Sequence, residues 1–236
     1  MRDVRAPAVP QSSHPRVGLT HAACACSYGP REGGRGEAFS ELGRLRVDAK
    51  LTSFARKHCR GAFGLGAEER HLAAAVTQAL QPAVVLESFP KSVVDVYILL
   101  LDAHGSELQA AVMAASLALA HAGVHCRDLV TACGVALLRG SQAGCEASGA
   151  LILDPTDDEI ADATAAAVVT AMPCCDCVTH LGLQGGWAGD GGEEALEIGL
   201  EGCKSLDEGL RRALREETER GEARARHTAA AAVAAA

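Results

Sequence analysis

The chain has 236 residues, is 48% hydrophobic and only 3% aromatic, and carries 22 Lys and Arg against 30 Asp and Glu, a formal charge of −8. So much aliphatic surface excludes a wholly disordered chain, which lacks the apolar area needed to offset the entropy of folding. The negative balance excludes a uniformly basic nucleic-acid binder, and the length suits one large domain or two small ones with a core of Ala, Val and Leu.

Residues 1–17 hold Pro7, Pro10 and Pro15 and predict an irregular arm. Thr20 to Tyr28 reads as a strand closed by the turn Gly29-Pro30, and Gly33-Gly34-Arg35-Gly36 as a flexible loop. A second strand is expected over Gly43 to Leu51. There Leu45, Val47 and Ala49 alternate with Arg44, Arg46, Asp48 and Lys50, and a period of two collects the charges on one face. Glu68 and Glu69 complement the positive end of a helix whose apolar face is Leu72, Val76 and Leu80 and which Pro82 ends or bends. Val93 to Leu101 is apolar on both alternating faces except at Asp95, which predicts a central strand covered on both sides. Gly105 turns the chain into a helix over Leu108 to Ala122, with Gly123 at a natural left-handed cap. A further strand is expected over Leu129 to Leu138.

In the second half, Leu151-Ile152-Leu153 predicts a short strand. Asp154 or Thr156 then caps a helix start rich in Asp157, Asp158 and Glu159. Val168 to Met172 and Cys177 to Leu183 read as an antiparallel pair joined around Pro173, followed by a glycine-rich loop around Trp187. Glu193 to Glu222 predicts a long amphipathic helix. Leu196, Leu200, Cys203, Leu206 and Leu210 lie on one face and Glu197, Glu201, Glu208, Arg211, Arg212 and Arg215 on the other. The mixture of strands and helices with antiparallel pairs predicts an α+β fold in one domain over 18–222, between the arm at 1–17 and a low-complexity alanine-rich tail at 223–236.

Charge is unevenly divided. Residues 1–70 carry 12 Lys and Arg against 7 Asp and Glu, and the remainder 10 against 23. Arg44, Arg46, Lys50, Arg56, Lys57 and Arg60 share one short stretch opposed by Asp48 alone, a candidate edge for RNA phosphates. With so few aromatic residues, contact through backbone charge is expected rather than base stacking. The 10 cysteines follow an opening, Met1-Arg2-Asp3-Val4-Arg5, without the pattern of a secretory leader, so reduced thiols used in packing are expected. Cys24/Cys26 and Cys174/Cys175/Cys177 lack a second ligand knuckle, and packing is preferred over a structural zinc. The apolar stretch Ala110 to Ala120 is too short to span a bilayer. Phosphate-loop, nucleophile-elbow and dinucleotide motifs are absent, no cofactor is implied, and His58-Cys59 has no third partner for a nucleophilic triad.

Several segments together carry a resemblance: Leu80-Gln81-Pro82-Ala83-Val84, Phe89-Pro90-Lys91, Leu99-Leu100-Leu101, Gly105-Ser106, Ala118 to Val124 and Asp128-Leu129-Val130. Leu153-Asp154-Pro155-Thr156, Met172-Pro173, Val178-Thr179 and Gly199 to Cys203 continue it. From about Gly18 to about Leu214 the chain resembles the RNA exosome ring subunits of the ribonuclease-PH-like family, most closely their mRNA-transport-regulator-3 branch. The family's opening strands correspond to Gly18-Leu19-Thr20 and Gly29-Pro30-Arg31, while the segment that normally precedes them is not recognisable in residues 1–17.

The resemblance implies two β-α units around a shared sheet arrangement. It implies a six-membered ring with related subunits, contact with a cap protein and with single-stranded RNA, and roles in rRNA processing and in mRNA and non-coding RNA turnover. A place in the nucleus and nucleolus, and also the cytoplasm, goes with it. Active relatives remove 3′ nucleotides with inorganic phosphate, using arginines to hold the anion and an acid to assist the leaving oxygen. Here the family's Gly-Thr-Arg turn is Gly105-Ser106-Glu107, the acid position falls at Ile98, and two further arginine positions fall at Glu68 and Gln78. No Arg or Lys lies between Lys91 and Arg127. A non-catalytic ring subunit is therefore expected, with an active phosphate-dependent 3′–5′ exoribonuclease as the alternative. Asp95 and Asp102, the acids most easily mistaken for catalytic ones, are read as strand-end or interface carboxylates.

Overall fold

Alternation in three segments builds the first sheet of the computed structural model, which describes residues 23–32, 40–55, 66–138, 150–187 and 191–234. Strands β1 (Ala23–Glu32), β2 (Arg44–Leu51) and β3 (Ser92–Leu100) lie in the order β1-β3-β2, with β3 antiparallel to β1 and parallel to β2. A parallel neighbour requires a crossover, and helix α1 (Ala67–Leu80) supplies it. Helix α2 (Glu107–His121) follows β3 and packs on the same side of the sheet. Val47, Ala49, Val94, Val96, Ile98 and Leu100 meet Val76 and Leu80 of α1 and Ala111, Val112, Ala115 and Leu119 of α2 in one core. The alanines let these helices sit close on the strands.

Two features differ from expectation. β3 is central but not covered on both sides along its length, because both helices lie on one face: Tyr97 is 42% and Leu99 41% exposed on the other. β1 does not stop at Gly29-Pro30 but runs to Glu32. A register shift between Ser27 and Pro30, with Gly29 at φ +79°, absorbs the turn-like pair as a bulge.

The second sheet is antiparallel throughout. Its strands β4 (Thr131–Leu138), β5 (Ala150–Leu153), β6 (Ala163–Met172) and β7 (Cys177–Gly185) lie in the order β5-β4-β6-β7. β6 begins five residues earlier than Val168, since its alanines pair as strand although they favour helix. The short helix α3 (Asp157–Asp162) is capped by Thr156, whose Oγ1 accepts from the Glu159 N–H at 3.4 Å. Helix α4 (Gly191–Ala234) packs on β4 and β6, and its backbone continues through the alanine-rich tail as far as Ala234. A Cβ at Gly199 would lie 2.8 Å from Val169 Cγ2, and one at Gly202 2.7 Å from Cys133 Sγ, so glycine sets the distance of this helix from the sheet. α2 lies between the two sheets and is apolar nearly all round, as a buried helix must be.

Of the cysteines, Cys133 and Cys203 are buried and Cys126 is partly so, whereas Cys174, Cys175 and Cys177 are exposed; all six are free thiols. Burial pushes the Cys126 thiol up to about 11 and the Cys133 thiol up to about 12, from an ordinary 9.0. A thiol raised in the folded state contributes stability that is complete below pH 9.0 and drains away as the pH rises towards those values. Urea unfolding is therefore expected to show a midpoint that falls between about pH 9 and about pH 10.5, with a smaller fall in a Cys126→Ala, Cys133→Ala variant. Identical falls in the two proteins would show that these thiols do not drive the change.

Candidate functional site

The turn between β3 and α2 is built by packing. Gly105 has φ +105°, and a Cβ there would stand 2.8 Å from Asp157 N and 3.0 Å from Pro155 O. Only glycine fits a turn pressed so closely on the 154–157 backbone. One main-chain bond joins the two segments, the Asp157 N–H donating to His104 O at 3.2 Å, and the Asp154 N–H ties 154–157 to β4 by donating to Gly134 O at 2.8 Å. Ser106 Oγ donates to Asp154 Oδ1 at 2.5 Å, the length of a charge-assisted bond. Of the two cap candidates, Thr156 takes the α3 cap, and Asp154 (φ +52°) bonds Ser106 instead.

Carboxylates surround this turn. Glu107 opens α2; Asp157, Asp158 and Glu159 open α3; and Asp102 Oδ1 lies 3.0 Å from His104 Nε2. Hydrogen bonds from the Thr156 backbone and then its hydroxyl hold Glu159 below the usual carboxylate range. Helix N-termini attract anions, but both of these are already met by acidic side chains. A phosphate dianion placed here would meet these like charges, and residues 92–126, which include the turn, hold no Lys or Arg to offset them.

The other positions of the expected catalytic set are equally unsuited. Ile98 is 2% exposed within the core below β3 and has no proton to transfer. Glu68 is exposed in the first turn of α1; its neighbour Glu69 accepts from Leu51 N at 3.0 Å and Gly66 N at 2.7 Å, tying α1 to β2. Gln78 lines a cleft of about 440 Å³ with Gln81, Glu87 and Arg127, and none of residues 102–107 lines it. Asp95 is buried in mid-strand and ion-paired to Arg31, rather than standing at a strand end, and its Oδ1 has no partner. Asp102 lies beyond the end of β3 beside His104.

The basic edge has a defined geometry. Arg44, Arg46 and Lys50 are exposed on the outer face of β2, in register with Val93, Asp95 and Leu99 of β3. Neither Arg46 nor Lys50 is in an ion pair among the described residues. Arg56, Lys57 and Arg60 lie outside the described residues. Sequence reasoning missed the companions of these cations, Tyr97 and Leu99. The signal for them was the parity of Asp95: the one charge in β3 marks the face that its odd-numbered neighbours share.

The family model described as "3′ exoribonuclease family, domain 1" matches residues 12–125. The exosome complex component MTR3 of Homo sapiens is 41% identical over 213 residues, covering 83% of this chain and 74% of that protein. The exosome complex component Rrp41 of Pyrobaculum islandicum is 36% identical over 194 residues, 82% of this chain and 75% of its own. The crystal structure of rice (Oryza sativa) Rrp46 superposes with a TM-score of 0.69 at 20% identity, over 82% of this chain and 84% of that one, a likeness of fold.

Proposed function

The chain belongs to the ribonuclease-PH family of 3′ exoribonucleases, and we propose that within it the chain is a non-catalytic ring subunit of an RNA exosome, of the MTR3 type. The observation that carries this is the Gly105-Ser106-Glu107 turn: it is closely packed, it carries a carboxylate at Glu107, Asp157, Asp158 and Glu159 lie beside it, and residues 92–126 supply no Lys or Arg for phosphate. Positioning and screening a doubly charged nucleophile is most of the work in phosphorolysis, and this turn repels the anion it would need to hold. What remains is assembly with ribonuclease-PH-like neighbours and a cap protein, in the nucleus and nucleolus and also the cytoplasm. Arg44, Arg46 and Lys50 attract the backbone of RNA moving towards an active partner.

Two measurements test this. The purified full chain, given end-labelled RNA and inorganic phosphate, is expected to release no nucleoside diphosphate. Phosphate-stimulated release lost on altering Asp95, Asp102 or Asp154 would establish the active-enzyme alternative. Purified from its source cells, the chain is expected to bring identified ribonuclease-PH-like proteins with it, and their absence would remove the ring role. Replacing Arg44, Arg46 and Lys50 with Glu is expected to leave that assembly intact. It should weaken RNA binding at least about tenfold and flatten its salt dependence by about 2 in slope, at roughly 0.7 per lost phosphate contact.

A further inference from the structure

The outer face of the first sheet, partly exposed at Tyr97 and Leu99, is ordered in rows. Arg46 stands beside Asp95, which Arg31 of β1 pairs; Asp48 stands beside Tyr97, which stands beside Cys26; and Lys50 stands beside Leu99. Neighbours across such a sheet are about 5 Å apart and successive rows about 7 Å. Tyr97 projects from a central strand hydrogen-bonded on both sides, and its neighbours Val96 and Ile98 are locked in the core. Its ring is thus held by a rigid support and stands 42% exposed, with Leu99 beside it at 41%. Cations occupy the rows on either side of that ring, and across the face Arg31, Arg44, Arg46 and Lys50 outnumber Asp48 and Asp95.

An apolar floor with an aromatic centre and a basic rim matches one chemistry in both its parts. Phosphates suit the rim, and the flat faces of unpaired bases suit the ring. We infer that Tyr97 is a base-stacking platform for single-stranded RNA, with Arg46 and Lys50 holding the phosphates on either side. This rests on the reading of β2 as an RNA-facing edge and adds base contact to it. It differs from the expectation, drawn from the low aromatic count, that binding uses backbone charge rather than base stacking. One ring in the right row is sufficient.

The test measures affinity of the full chain for a fluorescent oligouridylate and for an abasic ribose-phosphate strand of equal length. The parent protein is expected to bind the oligouridylate more tightly. Tyr97→Ala is expected to weaken that binding about 5- to 30-fold while leaving the abasic strand and the salt slope unchanged. Tyr97→Phe, which keeps the ring, should stay within about twofold. Arg46→Glu with Lys50→Glu should weaken both strands alike. If the charge variant weakens both strands but Tyr97→Ala weakens neither, stacking is overturned and the basic edge stands. If the charge variant has no effect, both fall together. If Tyr97→Ala spares RNA affinity but releases co-purifying ring subunits, the face belongs to a protein neighbour and the inference is wrong.

Discussion

Gly105→Ala is expected to lower stability by about 3 kcal/mol, and Gly105→Val by more, seen as a lower urea midpoint at unchanged slope. Two costs add. A non-glycine residue at φ +105° pays for a sparsely populated backbone conformation, on the order of 1–3 kcal/mol. Its Cβ also meets Asp157 N at 2.8 Å and Pro155 O at 3.0 Å, main-chain atoms that cannot rotate away. Gly123 separates the two terms. It has φ +73° with nothing within 4 Å of a built Cβ, so Gly123→Ala should cost only the conformational part, about 1 kcal/mol. Equal losses at the two positions would show that the turn is not pressed on residues 154–157. The expected difference means that this turn stands on its packing and needs no bound phosphate to keep its shape.

How much of this was legible depended on distance along the chain. β2 alternates strictly, α1 and α4 repeat every three or four residues, and Thr156 and Gly123 carry local capping signals; all were found where expected to within a few residues, except that α4 runs twelve residues past Glu222 into the alanine-rich tail. The lack of Lys and Arg over 92–126 was equally legible, since it is a property of one continuous stretch. Elements whose local chemistry points elsewhere were not. The alanines opening β6 favour helix, and Gly29-Pro30 looks like an end but is a bulge. The exposure of Tyr97 could not be read, because an apolar strand does not state how many layers cover it. The bonds of Ser106 with Asp154 and of Arg211 with Asp128 join residues 48 and 83 apart, and nothing local announces either.

The second of those bonds carries the other large expected effect: Arg211→Met should cost about 3 kcal/mol. Periodicity groups Arg211 with Arg212 and Arg215 on the solvated face of α4, yet its guanidinium reaches three partners. Nη2 donates to Asp128 Oδ1 at 2.5 Å and to Cys174 Sγ at 3.1 Å, and Nε donates to Asp207 Oδ2 at 2.7 Å. Asp128 Oδ2 in turn accepts from the Cys174 N–H at 2.9 Å, so one side chain ties α4 to the segment before β4 and to the turn between β6 and β7. The Asp128 side chain is only 3% exposed, and removing its cation leaves a buried carboxylate with no counter-charge. Asp128→Asn, placed in the Arg211→Met background, should therefore recover part of the loss. Arg211→Lys should recover little, because an ammonium cannot span both carboxylates and the thiol. The exposed pair Lys204–Asp176 is the control, and breaking it should cost under about 1 kcal/mol. A Met variant within 1 kcal/mol of the parent would mean that the clamp does not hold the helix. The close glycine contacts at Gly199 and Gly202 would then have to fix α4 on the sheet by themselves.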